Sequence, residues 1–175
     1  MKELDAKLDP ARIRSRLIDA SLFLMAYELL KVSVVDGVKD FFISGFDQDG
    51  YIYSDVYRTA VLPRAKHVFE ASLIFLLEAN AITEDDKQQI QSLRDYRNKL
   101  AHDIPRIIDD EHACASDEQI RLAGHYLSKI DNFWGRVEVD TNPDLDRDGI
   151  DYEGIVSRRS LIFQYIAAIA KDGSA

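Results

Sequence analysis

The stretch PARIRSRLIDASLFLMAYELL, residues 10–30, decides the fold class of this chain. Proline is favoured at the first position of a helix, and Asp9 is a good N-cap, so a helix is predicted to begin at Pro10. Between Leu22 and Leu30 the helix is apolar nearly all round, which predicts that it is central in a bundle or covered by a second subunit. The apolar residues that recur at helical spacing are Ile13, Leu17, Ile18, Leu22, Met25, Leu29 and Leu30.

The remainder of the chain also has helical character. Residues 34–42 predict a further turn or a short second helix, whereas SGFDQDGYIYSDVY, residues 44–57, has no helical period and is interpreted as a loop. Other helices are predicted at about 64–81, from a cap at Thr83 and Asp86 until Pro105, from a capping box at Ser116 and Gln119 to about 137, and at about 152–171. No segment has a convincing period of two. The sequence therefore predicts an all-α bundle of about five helices.

Length and composition indicate one folded domain over residues 1–175. The chain is 46% hydrophobic and 30% charged, with 8 glycines and 4 prolines, which excludes disordered and fibrous classes. Cys114 is the single cysteine, so an internal disulfide is impossible and a reducing, cytoplasmic location is expected. The most apolar stretches are about half the length that a bilayer requires, so no membrane association is expected.

The net charge of −9 argues against nucleic-acid binding, but its distribution weakens that objection. Residues 107–155 contain 13 acidic and 4 basic side chains, and the rest of the chain is nearly neutral. Residues 87–106 contain five lysines or arginines. The acidic block is interpreted either as a solubilising surface or as a contact for a basic partner.

The stretch RDYRNKLAHDIP, residues 94–105, places an arginine, an asparagine and a histidine near a helix end. Arg97 has a permanent charge suited to phosphate, His102 can exchange a proton near neutrality, and Asn98 can orient either residue. Such a set suits metal-independent RNA cleavage by 2′-hydroxyl attack. Five residues on an ideal helix span about 140°, so either the helix unwinds near His102 or two copies of the chain share the site.

The segment RNKLAH, from Arg97 to His102, resembles the R-x-x-x-x-H signature of HEPN domains. These are small all-α domains in which the motif lies late on a helix in the middle of the chain. The resemblance covers about six positions and implies a homodimer whose motifs face one another across a cleft. It also implies a metal-independent endoribonuclease of toxin–antitoxin, abortive-infection or other defence systems, without a cofactor.

The resemblance assigns catalysis to Arg97 and His102, with Asn98 in support. It implies RNA as the substrate and an antitoxin or nucleotidyltransferase as a partner. Some HEPN toxins have a tyrosine two residues after the histidine that such a partner modifies, but Ile104 occupies that position here. Basic residues near the motif, and a second basic patch in the first turn of the helix predicted at about 64–81, are candidates for RNA binding: Arg94, Lys99, Arg106, Arg64 and Lys66.

Other interpretations stay open beside this one. The first is a non-catalytic HEPN-like module that binds a nucleotide or a partner protein through the same face. Asp144, Asp146 and Asp148 form the first half of an EF-hand loop, but Ile155 stands where a bidentate glutamate should be, so a polar turn is the competing interpretation. Three tyrosines between the first two helices could stack on RNA bases or fill the core of the loop: Tyr51, Tyr53 and Tyr57.

Overall fold

A computed structural model describes residues 9–102, 115–145, 149–152 and 154–172 of the chain. Most of these residues are helical, which confirms the prediction of an all-α protein. A short antiparallel hairpin of β1 (Ile43–Asp47) and β2 (Gly50–Tyr53) follows the first helix. The helices are α1 (Pro10–Phe41), α2 (Val68–Glu78), α3 (Glu84–His102), α4 (Asp117–Thr141) and α5 (Arg158–Asp172).

Helix α1 is the central element of the bundle and packs against the other four helices. The Asp9 side chain caps it by accepting a hydrogen bond from the Ala11 amide at 3.2 Å, as the sequence predicted. Phe23 and Leu30 are fully buried, and burial of each contributes about 2 kcal/mol. The prediction of a central helix is confirmed. Within the described ranges, no helix combines the length and the apolar character needed to cross a bilayer.

The segment 34–42 continues α1 instead of forming a separate helix. Glycine usually weakens a helix interior, yet Gly37 lies in the last third of α1 without interrupting it. A Cβ atom at this position would overlap the indole ring of Trp134 on α4. The Trp134 Nε1 atom donates a hydrogen bond to the Ser33 carbonyl at 2.9 Å, so Gly37 provides room for a contact that ties α4 to α1.

The interpretation of residues 44–57 as a loop is wrong for its first part, which forms the hairpin. Phe46 pairs with Tyr51 in the ladder, and the turn between the strands uses Gly50 at a φ of +121°. Both strands are largely exposed, so neither selects an apolar face and no period of two is visible in the sequence. Tyr57 is buried against Phe42, whereas Tyr51 is exposed.

Helix α2 begins at Val68, four residues later than predicted. A short 3₁₀ turn that contains Pro63 precedes it, and the backbone is extended at His67. Helix α3 begins where the sequence predicted, because the Thr83 and Asp86 side chains each accept a hydrogen bond from the other residue's amide, at 3.2 and 2.7 Å. Lys129 on α4 donates to the same Asp86 carboxylate at 2.5 Å.

Helix α4 begins at the capping box of Ser116 and Gln119, as predicted, and continues to Thr141. Helix α5 begins at Arg158, six residues after the predicted start. The Asn132 amide on α4 donates to the carbonyls of Tyr152 and Ile155 at 3.1 and 3.2 Å, which holds this segment against α4 outside any helix.

A buried carboxylate on α4 connects α1, α4 and α5. The Asp131 carboxylate accepts hydrogen bonds from Ser33, Ser157 and Ser160, and it pairs with Arg159 at 3.3 Å. Buried charges are tolerated when they are paired and hydrogen-bonded in this way. We call these five residues the Asp131 cluster.

Candidate active site on the third helix

The inner face of α3 is the face that its apolar spacing predicted. Leu93 and Leu100 are buried, and Tyr96 is half-buried against Phe23 of α1, with ring centroids 4.9 Å apart in an edge-to-face arrangement. This packing fixes the rotation of α3 about its axis. Arg97 therefore lies at the border between the core and solvent.

Arg97 is oriented by a glutamate on α1. Its Nε and Nη2 atoms both donate to Oε1 of Glu28, at 3.0 and 2.5 Å. Its Nη1 atom points towards Oδ1 of Asn98, at 3.4 Å, a long and weak hydrogen bond. The guanidinium is thus held along one edge, while the Nη1 edge lies beside the exposed Asn98 side chain.

Sequence reasoning missed Glu28, although a signal was present. Glu28 is the single charged residue in the apolar run from residue 20 to residue 30, and a charge in such a run needs a partner. The partner could not be identified because Arg97 is 69 residues away in the chain. Glu28 also lies 3.6 Å from the Lys31 ammonium group, so its carboxylate is shared between two cations.

Tyr27 lies beneath the same face and is nearly completely buried. Burial raises its pKa to about 12, although the nearby Arg94 guanidinium opposes that shift. Tyr27 therefore stays protonated at physiological pH and acts as a packing residue in this structure, with its ring near Phe23 and Phe69.

His102 is the last residue of α3 and its side chain is exposed. α3 remains helical from Arg97 to His102, and the residues that follow lie outside the described part of the chain, so the suggestion that the helix unwinds near His102 stays a prediction. At 100° per residue the two side chains project about 140° apart, so one chain does not direct both at the same atom. Of the two arrangements that the sequence left open, sharing between two copies is the one that does not require the helix to unwind.

The predicted RNA-binding residues do not form one free basic patch. Arg94 pairs with Glu70 of α2 at 3.6 Å and stacks over Phe69, while Arg64 pairs with Glu78 at the other end of α2 at 2.6 Å. Lys66 and Lys99 are exposed. Arg106 lies outside the described residues.

The candidate calcium residues are only partly described. Asp144 is exposed, and Asp146 and Asp148 lie outside the described residues. Among the residues that the structure describes, no three histidine, cysteine, aspartate or glutamate side chains are grouped as a metal site would require. The calcium hypothesis stays a prediction.

The chain was compared with models of known protein families, with curated proteins and with solved structures, and it matches none of them significantly. An oriented guanidinium can bind a phosphate oxygen, and an exposed imidazole at a helix end can exchange a proton with a ligand.

Proposed function

We propose that this chain is a HEPN-like endoribonuclease that acts as a homodimer in the cytoplasm and cleaves RNA without a metal ion. The observation that carries the proposal is the arrangement of the RNKLAH segment on one continuous helix. Arg97 is held there at the protein surface by Glu28, and His102 is exposed at the end of the helix. The all-helical architecture, with this helix in the middle of the chain, also supports it.

In the proposed reaction, the 2′-hydroxyl of a nucleotide attacks the adjacent phosphorus. His102 removes the proton of that hydroxyl, and the bond from phosphorus to the 5′-oxygen breaks. The leaving 5′-oxygen takes up a proton from water, His102 releases to solvent the proton that it removed, and the products are a 2′,3′-cyclic phosphate and a 5′-hydroxyl. Arg97 stabilises the negative charge that builds on the phosphate oxygens, and Asn98 helps to orient it.

Glu28 has a defined role in this proposal. By binding Nε and Nη2 of Arg97, it leaves Nη1, whose hydrogen bond to Asn98 is long and weak, to bind a phosphate oxygen. Ion pairs that are partly exposed contribute only about 0.2–1 kcal/mol, so RNA phosphate can compete for the guanidinium without a large loss of stability.

The test is incubation of three purified proteins with a mixed pool of tRNA and mRNA in EDTA, followed by analysis of the product ends. The proteins are wild type, His102→Ala and the control His125→Ala, which removes an exposed histidine on α4. Wild type and control should cleave and leave 2′,3′-cyclic phosphates, whereas His102→Ala should lose at least about 100-fold in rate while keeping its fold. Cleavage that is equal in all three proteins, or absent from all three, would contradict the proposal.

The resemblance to HEPN domains further suggests a toxin or effector of a defence system, with an antitoxin or nucleotidyltransferase as its regulatory partner. Ile104, in the position where some HEPN toxins have a modifiable tyrosine, favours control by binding over control by modification of that position.

A second candidate is a non-catalytic module that binds a nucleotide or a partner protein at the same face. The observation that favours it is the neutralisation of Arg94 and Arg97 by glutamates on neighbouring helices, which lowers the positive potential available to RNA. This candidate predicts that the wild type does not cleave RNA and that Arg97→Ala weakens the binding of a nucleotide.

A further inference from the structure

Between residues 161 and 170, helix α5 is apolar over most of its outer face as well as on its inner face. Residues 161–170 contain no charged side chain, in a chain that is 30% charged. Phe163 is buried in the core, whereas Tyr165 and Ile169 are each 70% exposed. A helix that is apolar all round is normally covered on every side. We call the exposed side chains the α5 ridge, and they are Leu161, Ile162, Tyr165, Ile166 and Ile169.

A groove runs beside this ridge. It lies between the first half of α1 and the end of α5 and has a volume of about 750 Å³. Its walls are mainly apolar and include Ile13, Leu17 and Met25 of α1 and Ala170 of α5. Ile166 belongs to both the ridge and the groove, so the two features form one continuous surface. We call this surface the α1–α5 face.

The area of the α1–α5 face fits a dimer interface. The ridge alone exposes apolar surface on the order of 500 Å², which is at the upper end of what monomeric proteins usually leave uncovered. Stable dimers bury about 800 Å² on each partner, and the ridge alone would supply roughly half or more of that area. Interface centres are depleted of charge, as residues 161–170 are, and favour aromatic side chains such as the exposed Tyr165.

We propose that a second copy of this chain covers the α1–α5 face in a two-fold dimer. A two-fold interface brings the same surface of both partners together, so a surface with a ridge beside a groove can match itself. The ridge of each copy then packs into the groove of the other. Each copy has a net charge of −9, which opposes association. Because the ridge is uncharged, the two copies can meet without acidic groups facing one another at the centre of the interface.

This inference extends the proposed function, because it assigns the surface through which the two copies meet, but it does not depend on RNA cleavage. The test is the molar mass of the purified protein at micromolar concentration, without RNA, by sedimentation equilibrium. The variants are Ile169→Glu on the ridge and Phe46→Glu on the hairpin as a control, because Phe46 is 83% exposed on a different element.

Wild type and Phe46→Glu should have twice the mass of the chain, and Ile169→Glu should have the mass of one chain with unchanged helical circular dichroism. If Ile169→Glu does not fold, Tyr165→Ser provides the same test. Its dimer dissociation constant should be at least 10-fold higher than that of the wild type. A monomeric wild type would overturn the proposal, and binding of that monomer to lipid vesicles would assign the face to a membrane surface. A dimer that neither ridge substitution weakens would overturn it as well.

Discussion

Two carboxylate–arginine pairs in this protein differ in their surroundings. In the Asp131 cluster the carboxylate is 2% exposed and also accepts hydrogen bonds from three serine hydroxyls. The Glu28 side chain of α1, by contrast, is 44% exposed and pairs with Arg97 of α3 and with Lys31. The first pair is saturated by the protein and is structural. The Glu28–Arg97 pair leaves part of the Arg97 guanidinium beside solvent. A ligand phosphate could therefore replace Glu28 as the partner of Arg97.

The Asp131 cluster should show the largest effect on stability. Asp131→Ala leaves Ser33 buried without the acceptor of its hydroxyl hydrogen bond, and it leaves Arg159 without its carboxylate. We expect a loss of about 3 kcal/mol in the free energy of unfolding, measured by urea denaturation. A loss below about 1 kcal/mol would mean that the cluster is not a structural centre.

Substitution of Asp86 should have an intermediate effect on stability. Its side chain is 12% exposed, takes part in the cap of α3 and forms an ion pair with Lys129. Asp86→Ala should cost about 1–2 kcal/mol in the free energy of unfolding at pH 7. Burial acts to raise the pKa of Asp86, but hydrogen bonds from Lys129 and Thr83 outweigh it, so the pKa is lowered.

This lowered pKa gives the effect a defined pH dependence. The contribution of Asp86 is present above its unfolded pKa of about 3.9 and is lost as the pH falls towards and through the lower folded pKa. The difference in stability between wild type and Asp86→Ala should therefore shrink as the pH falls below the unfolded pKa. A difference in unfolding free energy that stayed constant from pH 7 to pH 2.5 would contradict this assignment.

Glu28→Gln should show the smallest effect on stability, about 0.5 kcal/mol, because the pair that it weakens is partly exposed. The substitution should change the kinetic constants for RNA cleavage more than it changes the free energy of unfolding. Without the negative charge of Glu28, Arg97 should bind RNA phosphate more tightly, so KM for RNA should fall. The guanidinium would also be less well oriented, so kcat should fall with it. Equal kinetics in the variant and the wild type would exclude a positioning role for Glu28.

The starts of α1, α3 and α4 could be predicted because their signals are local. Asp9 before Pro10, Thr83 with Asp86, and Ser116 with Gln119 satisfy free amides within the same turn. The start of α5 could not be predicted, because Asn132 on another helix holds the preceding segment. The hairpin was missed because its exposed strands carry no alternating pattern.

The same distinction applies to the candidate site. The positions of Arg97 and His102 on one helix follow from the spacing of Leu93, Tyr96 and Leu100, which fixes the buried face. The contact of Arg97 with Glu28 depends on how α1 and α3 pack, which no local pattern encodes. The continuity of α3 to His102 was open in the sequence, because the approaching Pro105 permitted an earlier end.

We propose that Arg97 of one copy and His102 of the other form one active site. The decisive measurement is RNA cleavage in EDTA by a mixture of the two inactive variants, Arg97→Ala and His102→Ala, under conditions that allow the dimers to exchange subunits. Random exchange makes half of the dimers mixed, each with one intact site of two, so about a quarter of the wild-type activity should return. Cleavage by the wild type with no recovery in the exchanged mixture would contradict a site shared between two copies.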